Sequence, residues 1–112
     1  MLELRKSPRF TTLAHARIPG VMEGENPLKD ISITGCCVEC QAGVVIKPDA
    51  QYELEIVPEK TAMVKNFNLA VEQKWMRPGE KGTEIGFIIV ASPTGKQFQH
   101  YIDYLSYRNS AL

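Results

Sequence analysis

The stretch FNLAVEQKWMRPGEKGTEIGFIIV, residues 67–90, decides the fold class. Phe67, Leu69 and Val71 alternate with Asn68, Ala70 and Glu72, the period-two pattern of a strand with one buried face, and the run reaches Trp75. The breaker Arg77-Pro78-Gly79-Glu80-Lys81-Gly82 ends it, and Thr83 to Val90 resumes as a strand. The two halves are therefore expected to pair as a hairpin around that loop.

The same signal extends upstream. Tyr52, Leu54 and Ile56 alternate with Glu53 and Glu55 directly after the turn residues Lys47-Pro48-Asp49. Leu28 to Ser32 and Gly35 to Cys40 read as two short strands joined by a turn at Ile33 to Gly35, and Thr11 to Met22 as a first strand interrupted by Pro19-Gly20. Six short strands separated by turn residues favour a small closed barrel or sandwich over a βαβ architecture. After Ala91 the period changes. Ser92-Pro93 is a good cap and first-turn pair, and Phe98, Tyr101, Ile102 and Leu105 follow the spacing of an amphipathic helix. Such a helix needs an apolar surface to cover, so Tyr101, Tyr104 and Tyr107 are expected to pack on a barrel mouth or wall.

At 112 residues the chain supports one hydrophobic core. The expected organisation is a single all-β domain over 1–112 with a C-terminal helix: a flexible N-terminal arm at 1–10, a barrel at 11–91 and the helix at 92–108. Thirteen basic and thirteen acidic residues cancel, so no overall field gathers a polyanion such as duplex DNA, and an anionic ligand must be held by a local cluster. The longest apolar stretches, such as Ile85 to Ala91, fall far short of the roughly 20 residues of a membrane span, and no apolar signal core follows the N-terminus. A cytoplasmic location without membrane insertion is expected.

Three cysteines, Cys36, Cys37 and Cys40, lie within five residues, an odd number too closely spaced for a disulfide framework. His15 and His100 are too distant in sequence to complete an obvious metal set. On a strand Cys36 and Cys40 would flank Val38 on one face while Cys37 takes the other, and small buried strand residues are expected rather than metal or redox chemistry.

Two constellations carry chemistry. In Arg5-Lys6-Ser7-Pro8-Arg9, Pro8 disfavours helix at Ser7, so the segment should be extended, with the two arginine Cα atoms up to roughly 13 Å apart. Guanidinium forks suit phosphate oxygens and the two acceptors on the outer edge of guanine. In Asp30-Ile31-Ser32-Ile33-Thr34-Gly35, Asp30 can accept from guanine N–H donors and Ser32 can offer its hydroxyl. Gly35 can supply either a positive φ or a close backbone approach. Taken alone, the first reads equally as a solvated tail and the second as a turn bonded to its own backbone.

Together, Arg5-x-x-x-Arg9 followed some twenty residues later by Asp30-x-Ser32-x-x-Gly35 resembles the two-part signature of the PilZ domain family. The lead-in Glu3-Leu4-Arg5-Lys6, the late strand Glu84-Ile85-Gly86-Phe87 and the terminal helix are similarly placed. The resemblance implies a six-stranded antiparallel PilZ-like β-barrel whose arm and turn grip cyclic di-GMP. Arg5 and Arg9 would contact guanine edges and phosphates, Asp30 a guanine base and Ser32 a phosphate or base, while Gly35 shapes the turn. Lys6 stands where a second arginine is common and keeps the charge without the fork, a supporting contact. Leu4 stands at a position linked to holding one nucleotide or a stacked pair, and one is expected.

No catalytic constellation is present: the histidines are isolated and neither a nucleophile elbow nor a phosphate loop appears. The expectation is thus a non-catalytic receptor or adaptor with no cofactor and no metal, acting in motility, polysaccharide or virulence output through an unidentified downstream protein. A nucleic-acid-binding barrel is disfavoured by the strand acids Glu53, Glu55, Glu72 and Glu84. The alternative is a PilZ-like protein-interaction module that does not bind nucleotide.

Overall fold

The computed structural model describes residues 8–41, 43–93 and 95–110. Seven strands form one antiparallel sheet: β1 (Phe10–Thr11), β2 (His15–Ile18), β3 (Met22–Ile31), β4 (Gly35–Cys40), β5 (Gln51–Val57), β6 (Phe67–Pro78) and β7 (Thr83–Ala91). A short 3-10 turn (Lys60–Ala62) links β5 to β6, and the helix α1 (Gly95–Ser110) follows β7. The sheet order is β1-β3-β2-β5-β6-β7-β4, and β4 pairs back onto β3. Six strands thus close a barrel, and β1 is an extra strand beside the second half of β3, with Phe10 opposite Ile31 and Thr11 opposite Asp30. Closure leaves few unpaired backbone groups for another chain to pair with.

The hairpin around residues 79–82 is present, closed by Gly79 N donating to the Gly82 carbonyl at 2.8 Å. The alternating positions of β5 and β6 supply core: Leu54, Ile56, Leu69 and Val71 have no exposed surface. Each such side chain contributes roughly 1.5–3 kcal/mol of burial. Cys36, Val38 and Cys40 of β4 join that core and Cys37 takes the other face, the division expected from strand alternation.

The first strands differ from expectation. Pro19-Gly20 does not interrupt one strand but turns between two, with Gly20 at φ +82° and Val21 N donating to Ile18 O. The chain re-enters at Met22 and β3 runs unbroken through Glu23, Gly24, Glu25, Asn26 and Pro27. These residues carry no apolar alternation because the backbone pairing to β2 holds them while most of their side chains face solvent; Asn26 is the exception, buried with its amide donating to the carbonyls of Ala16 and Glu23.

On the helix, Phe98, Tyr101, Ile102 and Leu105 are buried against the barrel, Phe67 meeting both Phe98 and Tyr101. Tyr104 is half-buried and Tyr107 is exposed, so only part of the tyrosine series packs. Helical hydrogen bonding starts at Gly95, with Ser92 and Pro93 ahead of it. None of the helices among the described residues is long and apolar enough to cross a membrane.

Candidate functional site

The turn between β3 and β4 is built by its own serine. Ser32 N donates to the Gly35 carbonyl at 2.8 Å, while Ser32 Oγ accepts from the N–H of Thr34 at 3.1 Å and of Gly35 at 3.2 Å. Ser32 is 1% exposed, so its oxygen is committed to the turn and its part in a site is to shape it. Thr34 O then accepts from Ile89 N, seating the turn against β7. Gly35 is not in the left-handed region; of the two reasons for a glycine there, close approach is the one realised. A Cβ on Gly35 would stand 2.8 Å from the Phe87 carbonyl oxygen and 3.6 Å from Arg9 Nη2.

Arg9 reaches this turn from outside the barrel. Its Nη1 donates to Asp30 Oδ1 at 2.6 Å, with side chains 36% and 32% exposed, a charge-assisted bond open to water. Arg9, Asp30 and Gly35 are thereby brought together, with Asp30 bonded to the arginine. Arg5 and Lys6 lie outside the described residues.

Beside the guanidinium lies an open cavity of about 330 Å³ lined by Arg9, Thr34, Gly35, Lys74, Trp75, Gly86, Phe87 and Ile88. Its distal wall comes from β6 and β7 and was not identified from sequence. Extrapolated from Phe67, Leu69, Val71 and Gln73, the alternation would send Trp75 inward. A bulge intervenes: Gln73 pairs with Phe87 but Trp75 pairs with Gly86, so β6 holds one extra residue. An extra residue reverses facing. Trp75 consequently lies outside, 38% exposed, over a glycine whose missing side chain makes room for it: a Cβ on Gly86 would fall 2.1–2.6 Å from the indole Cε2, Nε1 and Cζ2 atoms. Gly86 was the one available signal, since a glycine inside an apolar strand marks a close approach.

Cys37 forms part of the same outer surface, opposite Asp30 and Gly86 in the sheet and 4% exposed. Burial first, then the charges of Asp30 and Glu84, push its thiol up to about 11, so it stays protonated and unreactive at neutral pH. Cys36 and Cys40 are raised as well, chiefly by burial. No metal-ligating cluster of three groups occurs among the described residues.

No family model and no curated protein matches this chain by sequence. Among solved structures it is similar to the PilZ-domain protein Bacillus subtilis inhibitor of motility (MotI/DgrA), with a TM-score of 0.80 and 16% identity over 98% of this chain. The match spans 53% of that protein's length. At that identity the likeness is one of fold: a PilZ-like six-stranded barrel with one extra strand and a C-terminal helix.

Proposed function

We propose that this barrel is a non-catalytic receptor for cyclic di-GMP that passes its occupancy to a partner protein. The observation that carries the reading is the convergence on one cavity of Arg9, oriented by Asp30, with Lys74, the exposed Trp75 and the glycine-shaped Ser32–Gly35 turn. In this reading Arg9 and Lys74 face the phosphates or the acceptor edge of guanine, and the indole offers a flat apolar face to a base. Stacking on an aromatic side chain adds roughly 1–3 kcal/mol per base. The cavity volume lies at the low end of the 300–1,000 Å³ usual for small-molecule sites, so one base would enter while the rest of the ligand spreads over the turn.

Asp30 then has two tasks, to aim Arg9 and to accept from a guanine N–H, while Ser32 and Gly35 set the turn that both rest on. The PilZ-like fold of the structural neighbour supports an adaptor role; the nucleotide rests on the Arg9, Asp30, Ser32, Gly35 pattern and this cavity. Calorimetric titration with cyclic di-GMP, with GTP and a single-stranded oligonucleotide as controls, is the test. Saturable binding of the cyclic dinucleotide alone is expected, and its absence would sink the receptor reading.

A second reading, a protein-interaction module indifferent to nucleotide, is favoured by one observation. Ile88, in the cavity wall, is 36% exposed, and Ile33 in the turn and Val90 further along β7 are 53% and 44% exposed, large apolar side chains open to a protein surface. A partner retained equally by wild type and Arg9→Ala would support it.

A further inference from the structure

The bulge that turns Trp75 outward also sends Arg77 outward, two residues further along β6, directly opposite Glu84 of β7. Arg77 Cζ lies 4.6 Å from the centre of the Trp75 ring, and Arg77 Nε donates to Glu84 Oε1 at 2.9 Å. The arginine is 64% exposed but its carboxylate partner only 15%, so the flexible cation is held by the better-fixed anion. Gly86 supplies the surface beneath the indole. Trp75 is absent from the buried core, so its orientation at the cavity depends on these neighbours rather than on packing inside the barrel.

We infer that Arg77 is a positioning residue for the ligand cavity: anchored by Glu84, its guanidinium braces the Trp75 indole in the orientation that meets the ligand. The inference rests on the reading of the cavity as a cyclic di-GMP site and adds to it a residue outside both sequence motifs. A freely rotating indole would have to be ordered as the ligand arrives, and that ordering weakens binding; a braced one is ordered beforehand. Guanidinium suits the task because its Cζ stands over the ring while its Nε–H remains directed at the carboxylate. Lysine keeps the charge but has neither the plane nor that donor.

The chain holds a single tryptophan, so its fluorescence reports this position alone. The test compares wild type, Arg77→Ala, Arg77→Lys and Glu84→Gln as full chains, by time-resolved anisotropy of Trp75 without ligand and by calorimetric titration with cyclic di-GMP. Arg77→Ala should enlarge the fast component of the anisotropy decay and weaken binding about 2- to 5-fold, the range of an exposed cation–π contact. Glu84→Gln should move both readouts in the same direction by less, and Arg77→Lys should restore less than half of either. Full restoration by lysine would mean that Arg77 contributes only charge, and overturns the inference. So does an unchanged anisotropy decay in Arg77→Ala, or tighter binding, which would mean that the guanidinium covers the indole instead of supporting it. Should wild type fail to bind cyclic di-GMP, the receptor reading falls, and the anisotropy comparison still decides whether Arg77 braces the indole.

Discussion

Two arginine–carboxylate pairs flank the short strand β1, and they do different work. Arg108 Nη1 donates to Glu59 Oε2 at 3.1 Å and its Nη2 to the Thr11 carbonyl at 2.6 Å, while Glu59 Oε1 accepts from the Tyr101 hydroxyl at 2.6 Å. Tyr101 is wholly buried and the Glu59 side chain is 10% exposed. Every strong group there has a protein partner, and the network ties the helix to the barrel and to β1. The Arg9–Asp30 pair is about one-third exposed on each side and borders an open cavity. The two arginines are similarly exposed, Arg108 at 31% and Arg9 at 36%, so the difference lies in the carboxylates: Glu59, 10% exposed and bonded by both Tyr101 and Arg108, makes a fastening, while Asp30, 32% exposed, leaves the pair open to water beside a cavity.

If that contrast holds, the fastening should govern stability and the site should govern binding. The largest expected effect is Tyr101→Ala, which removes a fully buried aromatic from contact with Phe67 and leaves Glu59 Oε1 without its donor. A loss of about 3–5 kcal/mol in urea unfolding is expected, with little change in nucleotide affinity for the molecules that remain folded. A loss below about 1 kcal/mol would break the comparison from the structural side.

Arg9→Ala is the counterpart. A half-exposed ion pair contributes at most about 1 kcal/mol to stability, so urea unfolding should barely change. Cyclic di-GMP affinity should fall by about 5- to 150-fold, the equivalent of a lost charge-assisted contact of about 1–3 kcal/mol. Unchanged affinity measured calorimetrically would remove Arg9 from the site.

The glycines of the site sharpen the contrast further. At Gly35 an added Cβ meets backbone, the Phe87 carbonyl, which cannot move without opening the β4–β7 pairing. Gly35→Ala should cost about 1–3 kcal/mol of stability. At Gly86 the obstacle is an exposed indole that can swing away. Gly86→Ala should therefore turn the indole out of its contact with Arg77 at a cost of about 1 kcal/mol, less than Gly35→Ala, while shifting the Trp75 emission. Equal thermal losses for the two variants would mean that Trp75 is structural.

What could be read from sequence follows the range of the interactions involved. The hairpin of residues 67–90, the strand through Tyr52, Leu54 and Ile56, the inward Cys36 and Cys40 and the buried face of the helix were all legible, because in each the neighbouring residues alone carry the pattern. Arg9, Asp30 and Gly35 were legible as a motif. The first half of β3 was not, since Glu23 to Pro27 are held by backbone pairing that leaves no apolar alternation. Lys74 and Trp75 were missed for a related reason: a bulge is a property of two paired strands, and the repeat within β6 alone points the indole the wrong way.

The smallest expected effect concerns the thiols. Burial raises the Cys37 thiol from its ordinary 9.0 to about 11, so folding favours the protonated form. An acid whose value is higher in the folded state contributes stability that is complete below the unfolded value and is lost as pH rises toward the folded one. At pH 9 the unfolded chain would hold this thiol half-ionised while the folded protein keeps it neutral, a loss of about 0.4 kcal/mol relative to neutral pH. Cys36 and Cys40 are raised too and act in the same direction. Urea midpoints should therefore decline between pH 7 and 9, and Cys37→Ala should make that decline shallower by about the same amount. A further expectation follows from its position opposite Asp30 on the surface bearing the cavity. Alkylation of Cys37 in the native protein should be slow at neutral pH and slower again with cyclic di-GMP bound, whereas Cys36, inside the barrel core, should show no added protection. Equal protection of the two thiols would mean that the nucleotide tightens the whole barrel instead of covering the surface around Cys37.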